Sequence, residues 1–238
     1  MPNDRFFHDG PLEGRVIFRD QELQHLRVSR LQLGENFEVI DGRGGLAQAT
    51  LTRLDRREAE AELSPCTQSE PPAERLILIQ ALPRLNRLDT IAEKCTELGM
   101  TDFWLFPGER SEKKELTKQQ QTRVEHLCIA ATKQCGRLFL PRVNILPPIS
   151  KWKDLPEGSY FGDVRPSAPL LARRMEATES LAFIVGPESG LSERELERIE
   201  QLGAAGVSLH ENILRTDTAP ILALGLLAHL RKDRIYTR

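Results

Sequence analysis

The chain has 238 residues, in which 33 Lys and Arg stand against 35 Asp and Glu, and its formal net charge is −2. Hydrophobic residues make up 39% and charged residues 29%, the composition of a globular protein, and no apolar run approaches the roughly 20 residues of a membrane helix. The charge balance excludes a globally basic surface, so that any contact with nucleic acid has to use local patches.

The cysteines and the N-terminal residues indicate the cellular compartment of the protein. Cysteines at positions 66, 95, 128 and 135 include no Cys-x-x-Cys pair, so the sequence indicates neither a zinc site nor a disulfide framework. The stretch from Met1 to Arg5 lacks the apolar segment of a signal peptide. Both features predict a cytoplasmic protein with reduced thiols, and the length is sufficient for two domains.

Residues 1–70 show the polar and apolar alternation that is typical of short β-strands. Strands are predicted at 36–40, 46–54 and 58–63, with a glycine-rich turn at 41–45. The Glu-Ala repeat in the last strand also suits a helix by propensity, but its period of two favours a strand. The segment is therefore expected to form a small β-barrel.

The same segment contains arginine but no lysine, within an excess of acidic residues. Four of the arginines are close in sequence: Arg15, Arg19, Arg27 and Arg30. They predict either an arginine face beside an acidic edge or scattered solvated charges.

Prolines among polar residues predict a linker at 64–74, which divides the chain into domains 1–70 and 73–238. Strands then alternate with helices, which predicts an α/β domain with a parallel sheet. The predicted strands are 76–82, 102–106, 143–146, 159–162, 181–185 and 207–209. Amphipathic helices are predicted from Leu88 to Leu98, closed by Gly99, and from Val124 to Cys135.

Two loops in the C-terminal third follow predicted strands and precede predicted helices. The first is Gly186-Pro187-Glu188-Ser189-Gly190, after which Ser192 and Glu195 form a capping box. The second spans 209–219, where Pro220 suits the first turn of the next helix. Because ligands of open α/β sheets bind outside the carboxyl ends of the strands, the two loops predict one cofactor pocket.

The last predicted helix, 221–230, is apolar nearly all round. A surface helix does not tolerate this pattern. The helix is therefore expected either in the core or in a subunit interface.

Several common kinds of site are not indicated. The five histidines have no metal-ligand spacing, so no metal is expected, and no serine or cysteine lies in a nucleophile elbow. Neither a Walker A loop nor a Gly-x-Gly-x-x-Gly fingerprint follows a strand. The two C-terminal loops therefore have to bind their ligand in another way.

Five groups of residues make the chain similar to a known family. They are His25-Leu26-Arg27-Val28-Ser29-Arg30-Leu31 with Gly34, Gln80-Ala81-Leu82-Pro83-Arg84 leading to Lys94-Cys95-Thr96-Glu97-Leu98-Gly99, Glu109-Arg110-Ser111, Gln134-Cys135-Gly136-Arg137, and the two C-terminal loops. In this order and spacing they resemble the RsmE-type 16S ribosomal RNA uridine N3-methyltransferases of the SPOUT superfamily. The resemblance spans nearly the whole chain.

The resemblance implies a fold, a cofactor and partners. It implies an RNA-binding, PUA-like β-barrel in residues 1–70 and, in 73–238, an α/β methyltransferase domain of the SPOUT type with a parallel sheet and a C-terminal trefoil knot. It also implies S-adenosyl-L-methionine as cofactor, a homodimer, and 16S ribosomal RNA within a small ribosomal subunit as partner. The implied reaction is methylation of N3 of one uridine.

The two loops depart from the family pattern at a few positions. Ser189 and His210 stand where the family usually has glycine, and Leu191, Asn212 and Asp217 also differ. A side chain in place of glycine is expected to cost on the order of 1 kcal/mol where φ is positive.

By resemblance, the cofactor is bound mainly by backbone groups of the two loops, with 160–162 as a third wall. The implied cofactor-binding residues are Phe161, Gly162, Val185, Gly186, Glu188, Gly190, Leu209, Ile213, Leu214, Thr218 and Ala219.

Two residues are expected to take part in catalysis. Uracil N3 carries a proton, so the reaction needs a cation beside the uracil carbonyls or a proton acceptor. Arg215 matches the family's arginine and is the expected cation, although it could instead pin the knot through carbonyl hydrogen bonds. Glu188 either accepts the proton or caps backbone N–H groups.

Basic residues after the strands of the second domain, together with the barrel arginines, are expected either to contact RNA or to be solvated charges. The predicted RNA-binding residues are Arg15, Arg19, Arg27, Arg30, Arg84, Arg87, Arg110, Lys113 and Arg137. Two other functions stay open: methylation of a different RNA or base, and a non-catalytic RNA-binding module that has lost cofactor affinity.

Overall fold

The computed structural model describes residues 4–176 and 178–236, with side chains as far as Lys232. The prediction that the chain has no signal peptide rests in part on residues 1–3, which lie outside the described residues. The chain divides into two compact units. The first contains the residues up to Pro72 together with Ile129–Leu140, and the second contains Ala73–Cys128 and the residues from Pro141 onward.

None of the described helices combines the length and the hydropathy that a bilayer-spanning segment requires.

The first unit is built on one curled six-stranded sheet. Its strands are β1 (Arg5–Phe7), β2 (Arg15–Phe18), β3 (Asn36–Ile40), β4 (Gly45–Leu54), β5 (Ala59–Leu63) and β6 (Thr67–Gln68). They are ordered β1-β3-β4-β5-β2, with β6 on β4, and all pairs except β1–β3 are antiparallel. The strands predicted at 36–40, 46–54 and 58–63 are confirmed, and the Glu-Ala repeat is a strand rather than a helix.

Two elements of this unit differ from the prediction of strands followed by a linker. Helix α1 (Asp20–Val28) lies between β2 and β3, and β6 lies inside the predicted linker. The helix buries Leu23 and Leu26, and Arg19 at its N-cap makes no side-chain cap hydrogen bond. Without a capping residue and with so few apolar positions, the sequence carries no clear start signal for it.

Phenylalanines fill the centre of the first unit. Phe6, Phe18 and Phe37 are fully buried, and their ring centroids lie 5.0 to 6.1 Å apart in tilted and edge-on arrangements. Such pairs contribute about 0.5–1.5 kcal/mol beyond the area that they bury.

Residues far along the chain complete this unit. Gly44 N donates to Leu138 O at 3.0 Å, and Leu140 N donates to Gly42 O at 2.9 Å. Lys133 Nζ lies 2.5 Å from Glu22 Oε1, and both side chains are largely buried. The segment Ile129–Leu140 is thus an integral part of the barrel unit.

The second unit is built on a six-stranded sheet in which every pair is parallel. Its strands are β7 (Arg75–Ala81), β8 (Asp102–Phe106), β9 (Arg142–Ile145), β10 (Gly158–Gly162), β11 (Ser180–Val185) and β12 (Ala205–Val207). The order is β12-β10-β11-β7-β8-β9. All strands therefore end at one edge, with β7 and β11, which are buried along nearly their whole length, in the middle.

Helices cover this sheet. They are α2 (Leu85–Glu97), α3 (Lys118–Cys135), α4 (Leu171–Arg174), α5 (Glu193–Gln201) and α6 (Thr218–Tyr236), and a 3-10 turn spans Ile149–Lys151. Helix α3 begins in the second unit and ends in the first. Helix α6 packs on α2, β7 and β11 and buries Ala223, Leu224 and Leu227, so one face of the predicted all-apolar helix lies in the core.

The strand predicted at 207–209 is wrong by two residues. β12 pairs with β10 through Ala205, Gly206 and Val207, whereas Ser208 N donates to Pro169 O at 2.8 Å and leaves the sheet. Small residues in β12 give no apolar pattern, which is why its position could not be recognised from the sequence.

An ion network lies at the opposite, amino-terminal edge of the sheet. The carboxylate of Asp102, with 2% of its side chain exposed, lies 2.9 Å from Arg75 Nη2 and 3.0 Å from Arg142 Nε. Thr101 Oγ1 donates to it at 2.7 Å. Burial alone would raise the pKa of Asp102, but these hydrogen bonds outweigh burial and hold the pKa below its ordinary value.

Replacing this carboxylate should destabilise the second unit. We expect Asp102→Asn to lower the free energy of unfolding at pH 7 by about 2–4 kcal/mol, because two arginines lose a buried partner. Denaturation followed by tryptophan fluorescence measures this unit, since both tryptophans, Trp104 and Trp152, lie in it. Asp89→Asn, which breaks an exposed pair with Arg123, is the control and should cost less than about 1 kcal/mol.

The effect should depend on pH. A carboxyl whose pKa is depressed in the folded state stabilises above its unfolded pKa of about 4, and this stabilisation is lost as pH falls through the folded value. The wild type and Asp102→Asn should therefore converge in stability in acid. A difference in stability that does not shrink as the pH falls from 7 into the acid range would contradict this assignment.

Candidate functional site

Loops from five strands meet at the carboxyl edge of the parallel sheet. They follow β7, β8, β10, β11 and β12. The two loops singled out from the sequence are among them: the 186–190 loop joins β11 to α5, and the 208–217 loop joins β12 to α6. The structure therefore brings both to one edge, as predicted.

The 186–190 loop is a tight turn that depends on its glycines. Gly190 N donates to Pro187 O at 2.9 Å, and Gly190 has a φ of +72°. A Cβ on Gly186 would lie 2.9 Å from Leu191 N. Neither Ser189 nor His210 has a positive φ, so the cost expected for a side chain at these positions does not arise.

A buried hydrogen-bond chain links the two loops through the central strand. Thr216 Oγ1 donates to Gly186 O at 2.8 Å, and Gln80 Nε2 donates to Thr216 Oγ1 at 3.2 Å. Gln80 Nε2 also lies 3.3 Å from Gly186 O and 3.0 Å from Ala81 O. Gln80 is fully buried and Thr216 is 6% exposed, so water does not compete for these groups.

The surroundings fix the orientation of the Gln80 amide. Its nitrogen faces the carbonyl oxygens of Ala81 and Gly186, and the flipped amide would place an acceptor against two acceptors. In this orientation Gln80 Oε1 is buried and has no hydrogen-bond partner among the described residues. A buried amide oxygen without a partner is costly, which marks the position as specialised.

An ionic link joins the same two loops closer to the surface. Arg87 of α2 places Nε 3.4 Å from Glu188 Oε1 and Nη1 3.5 Å from Asp217 Oδ1. Glu188 Oε1 also accepts a hydrogen bond from Arg84 N at 3.1 Å. Arg84 is the N-cap residue of α2, so a carboxylate from the 186–190 loop caps this helix and faces its positive end.

The loop after β8 holds the 186–190 loop from the other side. Arg110 Nη1 lies 3.3 Å from both Ser189 O and Leu191 O. Glu195, whose capping box with Ser192 is confirmed, also accepts from Glu109 N at 2.8 Å. The 186–190 loop is therefore held by side chains of α2, of β7 and of the loop after β8.

The 208–217 loop presents its middle residues to solvent. Asn212 N donates to His210 Nδ1 at 3.0 Å, and Ile213 is 82% exposed. Arg215 O accepts from Thr218 N and Ala219 N and so starts α6. The Arg215 side chain is exposed and has no hydrogen bond or ion pair with any residue that the structure describes.

The predicted cofactor residues all lie at the carboxyl ends of β10, β11 and β12 or in the segments that follow. Gly162, Glu188, Gly190 and Leu214 reach the surface at least in part. The side chain of Phe161 is fully buried and Val185 is 7% exposed, which leaves only the Phe161 backbone for a ligand.

The structure disperses the predicted RNA-binding residues among several environments. Arg84 forms an ion pair with Glu112 at 2.6 Å, and Arg87 and Arg110 contact the 186–190 loop as described. Lys113 is half-buried, and Arg137 follows α3 in the first unit. On the barrel, Arg15 lies 3.5 Å from Glu60 and Arg19 lies 2.8 Å from Glu58.

The role of Gln80 was not recognised from the sequence. It interrupts the apolar run of β7 with the only polar side chain between Leu76 and Leu82. A polar residue inside a buried parallel strand is the signal that could have identified it, because such a group needs partners.

Family models and relatives match nearly the whole chain. A model of an RNA methyltransferase domain matches residues 69–228, and a model of an RNA methyltransferase PUA domain matches residues 18–64. The chain is 32% identical over 224 residues to the ribosomal RNA small subunit methyltransferase E of Synechocystis, covering 90% of this chain and 72% of that protein. This chain belongs to the RsmE-type family of RNA methyltransferases.

Other members of this family agree in sequence and fold. The Aquifex aeolicus ribosomal RNA small subunit methyltransferase E is 29% identical over 221 residues, covering 89% of this chain and 93% of that one. The crystal structure of the Neisseria gonorrhoeae ribosomal RNA small subunit methyltransferase E, bound to S-adenosyl methionine, is 28% identical. It superposes with a TM-score of 0.83 and covers 96% of this chain and 98% of its own.

The buried hydrogen-bond chain should determine the order of both loops of this RNA methyltransferase. Thr216→Val removes the hydroxyl that Gln80 and Gly186 share, so we expect the free energy of unfolding to fall by about 1–3 kcal/mol. Amide hydrogen exchange should accelerate in 186–190 and in 208–217 together. Thr216→Ser keeps the hydroxyl and should leave the exchange of both loops close to wild type. If Thr216→Ser accelerates exchange as much as Thr216→Val does, the hydroxyl is not what orders the loops.

Proposed function

We propose that this chain transfers a methyl group from S-adenosylmethionine to N3 of a uridine in 16S ribosomal RNA, as a step of ribosome biogenesis in the cytoplasm. The observation that carries the proposal is the pair of linked loops at one sheet edge, in a family whose member from Neisseria gonorrhoeae binds S-adenosyl methionine. Relatives named ribosomal RNA small subunit methyltransferase E support the substrate class.

The residues at this edge fit such a cofactor. Gly186 and Gly190 keep side chains away from the loop backbone, and the close approach at Gly186 leaves no room for a Cβ. The half-buried Leu209 and Leu214 offer apolar contact beside these exposed backbone groups. We propose that the loops bind the cofactor, with Phe161, Gly162, Val185, Gly186, Glu188, Gly190, Leu209, Ile213, Leu214, Thr218 and Ala219 as its contacts.

Arg215 is proposed to act on the uracil. S-adenosylmethionine, when bound, would supply its sulfonium methyl group and leave as the neutral thioether S-adenosylhomocysteine; such an in-line displacement needs alignment of the reactants more than covalent help. Uracil becomes nucleophilic at N3 when its proton leaves and negative charge spreads to the carbonyl oxygens. The exposed guanidinium of Arg215, without a partner among the described residues, can stabilise that charge.

The contacts of Glu188 favour a structural role over proton transfer. Its Oε1 atom accepts the Arg84 N–H and lies 3.4 Å from Arg87 Nε. Both contacts attach the Glu188 carboxylate, and with it the 186–190 loop, to the start of α2. We therefore propose that Glu188 fixes the 186–190 loop against α2 and that solvent water accepts the N3 proton.

The remaining parts of the family architecture are proposals for this chain. They are a PUA-like RNA-binding domain in 1–70, a methyltransferase domain in 73–238 with a trefoil knot, and a homodimer. The half-buried apolar residues Ile221, Leu222 and Leu226 of α6 support a subunit contact, since they lie beside the buried face of that helix.

Mapping of ribosomal RNA tests the reaction. Mass spectrometry of 16S ribosomal RNA from cells with and without the gene should show one uridine that loses a single methyl group, and the purified protein with S-adenosylmethionine should restore it. An unchanged 16S pattern, with a modification lost from another RNA, would assign the site to a different substrate.

Arg215→Ala should separate binding from transfer. We expect S-adenosylmethionine binding, measured by calorimetry, to stay within a factor of about two, while the transfer rate falls by about 10²–10³-fold because one charge-stabilising group is lost. Arg194→Ala removes another exposed arginine, on α5, and should leave both quantities unchanged. Loss of cofactor binding in Arg215→Ala would instead give Arg215 a structural role.

A further inference from the structure

The hairpin between β4 and β5 ends in two arginines. Asp55 N donates to Glu58 O at 2.8 Å and closes the hairpin, so that Arg56 and Arg57 form its tip. Both side chains are exposed, and neither has a hydrogen bond or ion pair with any residue that the structure describes. The tip therefore carries two positive charges on a short and closed turn.

The acidic residues that flank the tip are already paired. Arg53 Nε lies 2.7 Å from Asp55 Oδ2. Glu58 is paired with Arg19 at 2.8 Å and also with Arg53. These carboxylates are paired with Arg19 and Arg53 and form no ion pair with Arg56 or Arg57.

The end of α1 adds positive charge beside the tip. Arg27 Nη2 donates to Asp55 O at 2.6 Å, which brings the last turn of α1 to the base of the hairpin. The acceptor is a neutral carbonyl, so the charge of Arg27 is not cancelled. Arg30 follows three residues later, is exposed, and has no side-chain partner within the described part of the chain.

Other arginines of the barrel unit have acidic partners. Arg5 is paired with Glu38, Arg15 with Glu60 and Glu62, and Arg43 with Asp9. Arg27, Arg30, Arg56 and Arg57 have no acidic partner among the described residues, and we call these four the arginine tip.

We propose that the arginine tip binds the phosphate backbone of RNA. The inference rests on the proposed function, which supplies RNA as the substrate, and it names the surface of the first unit that meets it. Guanidinium groups donate paired N–H bonds to phosphate oxygens. Exposed arginines also release condensed counterions when they contact a nucleic acid, so this binding is salt-dependent and independent of sequence.

The proposal changes the expectation drawn from spacing along the chain. The sequence grouped Arg27 with Arg15 and Arg19, whereas the fold attaches Arg27 to the base of the β4–β5 hairpin through Asp55 O. Arg15 is paired with Glu60 and Glu62 of β5, and Arg19 is paired with Glu58, the residue before β5.

Salt titration of RNA binding tests the arginine tip in the full chain. The probes are an RNA duplex of arbitrary sequence and transcribed 16S ribosomal RNA. The double variant Arg56→Gln, Arg57→Gln should weaken binding of both probes by about tenfold at low salt. It should also reduce the slope of log K against log salt by about 1–2. Arg56→Lys with Arg57→Lys should keep most of the slope, because charge rather than hydrogen-bond geometry determines it.

The control is Arg43→Gln, which removes one exposed arginine of the same unit that is paired with Asp9. It changes the net charge by half as much as the double tip variant and should leave the slope unchanged. Thermal unfolding verifies that each variant is folded. An unchanged slope in the double tip variant, or an equal loss in Arg43→Gln, would overturn the proposal.

The result of the salt titration does not depend on whether the chain methylates ribosomal RNA. If ribosomal RNA mapping shows no lost methyl group but RNA binding still depends on the tip, the proposed reaction fails and the RNA surface stands. If methylation is found and the tip variants bind RNA as the wild type does, the surface fails and the reaction stands.

Discussion

The hydrogen-bond chain from Gln80 through Thr216 to Gly186 O is the interaction on which the candidate site depends. It joins residues that are 106 and 136 positions apart in sequence, and its Gln80 and Thr216 side chains are buried. Because a buried N–H group without a hydrogen bond is costly, displacement of either loop would remove acceptors from the Gln80 Nε2 group inside the protein. The chain thus makes the two loops one structural element rather than two.

Charged residues also hold the loops in place at the surface of this edge. Arg84, Arg87 and Arg110, which follow strands β7 and β8, contact a carboxylate or a loop carbonyl, and each contact holds a backbone segment in place. Positive charge near a candidate RNA-binding site is therefore no indication of RNA contact by itself. What distinguishes Arg215, Arg56 and Arg57 is that no partner among the described residues satisfies their side chains.

Much of the fold was predictable because its signals are local. The strands at 36–40, 102–106 and 181–185, the capping box of Ser192 and Glu195, and the two-loop edge follow from alternation, apolar runs and capping residues. Helix α1 and strand β12 were missed or displaced because an uncapped start and small residues leave no pattern. The partners of Gln80 and of the hairpin arginines depend on residues distant in sequence, which no local pattern reports.

Helix α3 limits how this chain can be divided, because it contributes residues to both units. Its second half and the residues after it, Ile129–Leu140, complete the barrel unit, while its first half belongs to the sheet unit. The barrel is therefore encoded by two separate stretches of the gene. A recombination event or a truncation at the proline-rich stretch before β7 would deliver a barrel without Lys133 beside Glu22 and without the strand-like partner of Gly42 and Gly44. The two units therefore cannot be separated by a single cut in the chain.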